Sequence, residues 1–218
     1  TNYGIYELKA KAEPEITGDM AVELTPHTDE MYRIDPPGIT LFHVVVQSPI
    51  GGESSLVDGL RLAERLGQEN PDALQTLCEI PARFHRELDE GRHFDIQAPI
   101  FRQDANGIIT GIRLNDRCMA PVDATPTDTE RFYDALRPLL DIIYAKDETI
   151  QFKIDAGQML IFNNHRLLHG RSSFDSASSR HVRIVHVDLD EFHSRLRVSL
   201  REAGREDEWM HLGPGATA

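Results

Sequence analysis

Apolar, β-branched runs toward both ends of the chain bracket two stretches of helical patterning. That order implies a mainly β protein with helical insertions. "ITLFHVVVQS" (Ile39 to Ser48) and "RHVRIVHVDLD" (Arg180 to Asp190) are the most β-like runs. Between them, "GLRLAERLGQ" follows Asp58 and "DALQTLCEI" follows Asn70-Pro71, each with a capping residue in front of a helical apolar pattern. A sheet sandwich or barrel decorated by helices satisfies both kinds of element. The 218 residues suit a single domain, 1–218, with no internal repeat, low-complexity tract or linker to divide it. A chain of this size hides roughly 70% of its unfolded surface, enough for a real core.

In chain order, "MAVEL" (Met20 to Leu24) reads as a strand, Ile39 to Ser48 as the next, and "SSLVD" after the Gly51-Gly52 turn as a third. The two capped helices follow. "PIFRQDANGIITGIRLND" reads as a hairpin, because Asn106-Gly107 between apolar runs is the strongest short turn signal. From Thr127 to Ala145, Phe132, Leu136, Leu139, Leu140 and Ile143 recur at helical spacing, and Pro138 is expected to kink or split that helix. Strands return with "TIQFKI", a turn at Asp155 to Gly157, "MLIFNN" and then "RHVRIVHVDLD"; a terminal helix starts near Glu191. The acidic tail, about 204–218, is expected to be partly disordered. The opening "TNYGIYELKA" reads like mid-domain sequence, so a preceding segment is expected to be missing.

The formal charge of −13 disfavours nucleic acid and anionic membranes as partners. No apolar run approaches the ~20 residues that span a bilayer. Cys78 and Cys118 read as two unpaired thiols, as in a reducing cytoplasm, which is the expected location, with a disulfide between them as the alternative.

Chemistry is suggested first by "HTD". Ferrous iron in oxygen-activating enzymes takes two imidazoles and one carboxylate on one face and keeps positions open for other ligands. In extended backbone, residues two apart share a side, so His27 and Asp29 can converge on one ion. A lone pair of this kind is common by chance, and the third ligand must come from a distant strand. Of the ten histidines, His165 and His169 lie in "NNHRLLHGRSSF", directly after an apolar strand. His169 precedes a glycine and a basic, hydroxyl-rich turn and is the better candidate; His165 is its nearest competitor. Arg180, opening the next strand, is placed to bind the distal carboxylate of an oxo acid in a two-pronged ion pair. His43, His85, His93, His181 and His193 read as ordinary core or surface histidines.

The set "HTD", "PPGITLFHVVVQSPIGGESSLVDG", "FNNHRLLHGRSSF" and "SRHVRIVHVDLDEFHSRLRV" resembles the 2-oxoglutarate-dependent oxygenases of the taurine dioxygenase superfamily. The resemblance is strongest to the γ-butyrobetaine hydroxylase branch, which also holds bacterial aminoalkylphosphonate hydroxylases, and it runs from about Tyr3 to Leu200. It implies a double-stranded β-helix, or jelly roll, with helical insertions and with sequence preceding Thr1. It implies His27, Asp29 and His169 as ligands of Fe(II), Arg180 as partner of the 2-oxoglutarate C5 carboxylate, and Ser54 as an assisting hydroxyl, with O2 as co-reactant. The carboxylate at position 29 favours hydroxylation over halogenation.

Substrate residues follow from departures within the branch. Asp19 and His186 stand where the family tends to place cage aromatics, leaving Tyr32 as the obvious aromatic near the first metal motif, which points away from a quaternary ammonium. Asn115 and Arg117 in "IRLNDR" resemble an anion-binding segment, and Asp19 is placed to pair with an ammonium. The expected substrate is a small zwitterion: an aminophosphonate, a betaine-like compound or an amino acid. Desaturation, epimerisation or ring closure on the same scaffold is an alternative outcome, and a non-catalytic metal-binding jelly roll is an alternative class. Relatives often dimerise through helical segments, so a homodimer is a further expectation.

Overall fold

The computed structural model describes residues 4–10, 17–88 and 91–211. The most β-branched runs form the centre of the first sheet. There β3 (Ile39–Val46) pairs antiparallel with β13 (His181–Val187), flanked by β11 (Met159–Asn163) and β1 (Ile5–Lys9). The second sheet has the order β10 (Thr149–Phe152), β4 (Ser54–Asp58), β12 (Leu167–Arg171), β2 (Leu24–His27), also antiparallel. The chain alternates between the sheets, from β2 to β3 to β4 and again from β10 through β13. This alternation makes the two sheets a double-stranded β-helix. A smaller sheet of β6 (Arg92–Ala98), β5 (Ala82–Leu88) and β9 (Met119–Ala120), and a hairpin of β7 (Phe101–Gln103) and β8 (Ile109–Ile112), are inserted between β4 and β10.

Helices α1 (Gly59–Glu69) and α2 (Pro71–Glu79) start where their caps predict. The Asp58 carboxylate accepts from Leu60 N–H and the Asn70 side chain accepts from Ala73 N–H. Their apolar stripes, with α3 (Pro126–Tyr144), pack on the outer face of the second sheet. Leu62, Leu66, Leu77, Phe132, Leu139 and Ile143 cluster with Val57 of β4 and Leu168 of β12, all buried. Each such side chain contributes about 1.5–3 kcal/mol by leaving water. Between the sheets the apolar cluster is smaller: Val44, Ile154, Val182 and Ile184, with Leu8, Phe42, Phe152 and Leu160 beside it. The large core therefore lies behind the second sheet, and the space between the sheets is left partly open.

Several boundaries differ from expectation for identifiable reasons. The first strand of the second sheet begins at Leu24, because the carbonyls of Gly18, Met20 and Val22 are taken by the Arg171 guanidinium instead of a ladder. Helix α3 is not split at Pro138; buried side chains on both sides of it, Leu136 and Leu139, hold the segment against the core. Asn106-Gly107 lies in a five-residue loop whose Asp104 carboxylate accepts from Asn106 and Ile108 N–H, with Gly107 at φ 79°. Strands β5 and β6 were hidden by their charged residues, and β12 by the His-Gly-Arg that ends it. Helix α4 runs Leu189–Glu202, and Glu206–His211 form a 3-10 turn; the expectation of disorder over 212–218 lies outside the described residues. Among the described residues no helix is long and apolar enough to cross a membrane. Both cysteines are free.

In the pairing of β12 with β2, His169 stands opposite His27 and Arg171 opposite Leu24, so Gly170 alone faces Thr25 and Pro26. This is a β-bulge in an edge strand, where a proline costs no ladder bond. A Cβ on Gly170 would lie 2.6 Å from Ser55 Oγ and 2.7 Å from the Leu24 carbonyl. Gly170→Ala is expected to destabilise the fold by about 1–3 kcal/mol through overpacking. Thermal and urea denaturation against the parent protein measure this, and an unchanged midpoint would show that β2 yields freely.

Candidate metal centre and cavity

The bulge delivers His27 at the end of β2, buried, with its Nδ1 2.8 Å from the Thr25 carbonyl. A carbonyl only accepts, so Nδ1 carries the proton and Nε2 presents a lone pair. Asp29 lies beyond the strand, in a turn, so ladder geometry does not hold it there as the extended-backbone reading supposed. Its N–H donates to Asn164 Oδ1 at 2.7 Å, and Asn164 Nδ2 returns bonds to the Asp29 and Pro37 carbonyls at 3.1 and 3.0 Å. Thr28 between them is wholly buried and exchanges bonds with the Leu114 backbone at 2.8, 3.0 and 3.1 Å. Asn164 and Thr28 thus position the turn; sequence reading passed over both, although Asn164 sits inside the "FNNH" motif.

The Asp29 carboxylate faces His27 Nε2 at 3.5 Å and His169 Nε2 at 3.6 Å, with His186 Nε2 at 3.9 Å. One ligand atom from each of His27, Asp29 and His169 lies within 4.8 Å of the others. Two donors each about 2.1 Å from one ion stand roughly 3–3.5 Å apart, so the set needs little adjustment to close on a metal. Asp29 Oδ2 is buried with no hydrogen-bond partner. Burial works against ionising Asp29, but the imidazoles of His169 and His27 outweigh it and hold the carboxyl well below its usual range. Burial pushes His169 down to about 3, against the opposing pull of Asp29, which leaves the imidazole neutral and able to ligate. A buried carboxylate with an unsatisfied oxygen, flanked by two imidazole nitrogens, fits a divalent cation. His165, the competing candidate, is turned away; its Nε2 lies 3.0 Å from the Pro36 carbonyl, in a separate small cleft.

These residues line a cavity of about 410 Å³ between the two sheets, a size suited to a small ligand. Ser54, Arg171 and Arg180 line it too. The two buried arginines, whose guanidiniums lie 4.5 and 5.2 Å from the Phe174 ring centre, have different roles. Arg171 is spent on backbone carbonyls, whereas the buried Nε of Arg180 has no partner. Burial pushes Arg180 down to about 10, so it is still a cation at neutral pH and is free to take an anion. His186 also lines the cavity, with Nδ1 3.1 Å from Thr40 Oγ1.

Of the other residues singled out in the sequence, Tyr32, Asn115 and Arg117 reach the cavity. Asn115 also caps the 3-10 turn Asp116–Cys118. Asp19 does not line the cavity; its carboxylate accepts from Lys9 N–H at 3.0 Å and ties its turn to β1. The aromatic lining is richer than the sequence suggested, since Tyr6, Phe42 and Phe162 arrive from three strands of the first sheet. Tyr6 OH donates to Glu30 at 3.3 Å, and burial together with the Glu30 charge raises both the Tyr6 and Tyr32 phenols. Arg86 was also missed, because β5 was not recognised as a strand facing the site.

A family model described as "Taurine catabolism dioxygenase TauD, TfdA family" matches residues 3–186. The chain belongs to this family. Within it, the chain is 34% identical over 203 residues to a gamma-butyrobetaine dioxygenase of Pseudomonas sp. (strain AK-1), covering 92% of this chain and 53% of that protein. A trimethyllysine dioxygenase of Meyerozyma guilliermondii is 31% identical over 211 residues, covering 94% and 52%. The chain thus spans about half the length of the curated relatives it matches. A solved asparagine oxygenase in complex with Fe(II), 2S,3S-3-hydroxyasparagine and succinate superposes with a TM-score of 0.67 at 17% identity, over 89% of this chain and 59% of that one. A taurine dioxygenase from Burkholderia xenovorans gives 0.64 at 18%, over 84% and 64%. At such identities the likeness is one of fold, and it agrees with the alternation of strands described above.

Asn164→Ala strips Asp29 of its anchor and leaves buried groups unpaired, at a cost of about 1–3 kcal/mol each. Divalent-metal affinity is expected to fall roughly 10–100-fold, the usual effect of losing an outer partner of a ligand. Titration with Mn(II) measures it; unchanged affinity would show that Asp29 holds its place without Asn164.

Proposed function

We propose that this chain carries the catalytic site of an Fe(II)- and 2-oxoglutarate-dependent oxygenase that hydroxylates an unactivated C–H bond of a small zwitterion. The observation that carries this reading is the meeting, in one cavity, of the His27, Asp29 and His169 donors with Arg180 and its unpartnered Nε. A purely metal-holding jelly roll has no use for that arginine. His27, Asp29 and His169 would hold the ion and Arg180 the distal carboxylate of the oxo acid, with the Ser54 hydroxyl beside it. When bound, the ferrous ion and 2-oxoglutarate supply the activation of O2, with succinate and CO2 released.

The remaining work falls to this chain's own side chains. Phe42, Leu160, Phe162 and Ile184 give the cavity apolar walls that exclude water near the metal ligands. Arg117 and Arg86, cavity-lining cations with no ion pair among the described residues, would take the acidic end of the substrate. The Tyr6 and Tyr32 rings would take the cationic end by their faces, with the Glu30 carboxylate beside them held by Arg33 and the Tyr6 hydroxyl. Relatives named for γ-butyrobetaine and trimethyllysine favour a betaine-like member of this class. The free thiols and the charge of −13 support a cytoplasmic protein with small-molecule partners and no nucleic acid.

Anaerobic titration with Fe(II) and 2-oxoglutarate tests the reading. A weak visible charge-transfer band is expected in the parent protein and none in His169→Ala; absence of a band in the folded parent protein would defeat the proposal. With candidate betaines and aminophosphonates screened by succinate release, Arg180→Ala is expected to raise the 2-oxoglutarate KM roughly 10–100-fold, the value of a lost charged hydrogen bond. Arg117→Ala should instead raise the KM of the substrate.

A further inference from the structure

A second group of metal-type donors lies outside the cavity, on the β5–β6 ladder. Glu87 stands directly opposite His93, and His85 opposite Asp95. Because side chains alternate along a strand, these four residues share one face, while Arg86, Leu88 and Arg92, of the other parity, line the cavity. The His85 and His93 rings approach to 4.7 Å, and Glu87 Oε1 lies 3.5 Å from His93 Nδ1. One donor atom from each of His85, Glu87 and His93 falls within 4.8 Å of the others. Asp95 is held by forked bonds from Arg83, which match its charge and keep it out of the donor set. Read singly, His85 and His93 are surface histidines; only the cross-strand register makes them a set.

We infer that His85, Glu87 and His93 form a second divalent-cation site, of the two-imidazole, one-carboxylate type that zinc-class ions take with water completing the shell. Its ligands come from both strands of the pair, so a bound ion would clamp β5 to β6 behind the face that presents Arg86 and Arg92 to the cavity. The site shares no residue with the centre at His169.

Titration with Zn(II) alone, followed by a competing chromophoric chelator, reads the number of ions bound. The parent protein is expected to bind one equivalent more than the double variant His85→Gln/His93→Gln. His169→Ala should retain that equivalent, so loss of the cavity centre and loss of this one are read separately. Both imidazoles lie at the surface of the ladder, and circular dichroism of the double variant checks that it folds. As a second measurement on the parent chain, nitrogen-15 imidazole resonances of His85 and His93 should shift with the first equivalents of Zn(II). A double variant that binds as much Zn(II) as the parent, or parent resonances of these two rings that do not move, would overturn the site.

Discussion

Two residues of β2 stand opposite one residue of β12, and the candidate metal centre depends on that mismatch. The extra residue bends an edge strand at the point where it must turn an imidazole toward the space between the sheets. It also brings the Thr25 carbonyl under His27, which fixes the tautomer that leaves Nε2 available. The partner strand tolerates the close approach because position 170 has no side chain to meet Leu24 and Ser55. Pro26, which would break a central ladder, is harmless at a bulge on the sheet's edge.

Around this pairing, packing and polarity are divided between the two faces of one sheet. The outer face of β4 and β12 supplies Val57 and Leu168 to the helical core, where most of the apolar burial lies. Along the same strands the inward face carries Ser54, His169 and Arg171. The helices supply the stability that the sandwich interior does not, so the interior can be kept for ligands. Such a cavity needs its charged groups either paired or awaiting a partner. Arg171 is paired, with its carbonyls; Asp29 Oδ2 and Arg180 Nε are the groups that wait.

Asp29 reaches the cavity by a route that strand alternation does not describe. Alternation along extended backbone put it on the same side as His27, yet the strand ends at His27, and side-chain bonds from Asn164 with backbone bonds at Leu114 hold the turn. Asp19 illustrates the opposite failure. A lone acidic residue near the metal motif looked like a partner for a ligand ammonium, but a backbone amide of β1 claims it. The aromatic wall was underestimated because Tyr6, Phe42 and Phe162 are far from "HTD" in the chain and meet it only through sheet pairing.

What was legible in the chain alone was whatever is encoded locally. Capped helices, β-branched strands, the "HTD" pair and the "FNNHRLLHG" segment are short-range patterns; they gave a sandwich or barrel with helices and the metal-ligand candidates, and the family resemblance narrowed the fold to a double-stranded β-helix. The tertiary structure decided which of two buried arginines has a free nitrogen, which of two neighbouring histidines enters the cavity, and which surface histidines meet across a ladder. Those outcomes depend on register and on competition for backbone carbonyls between residues as much as about 150 positions apart, as Arg171 and Gly18 are. No local pattern carries that information, because whether a donor is satisfied depends on what the fold brings to it.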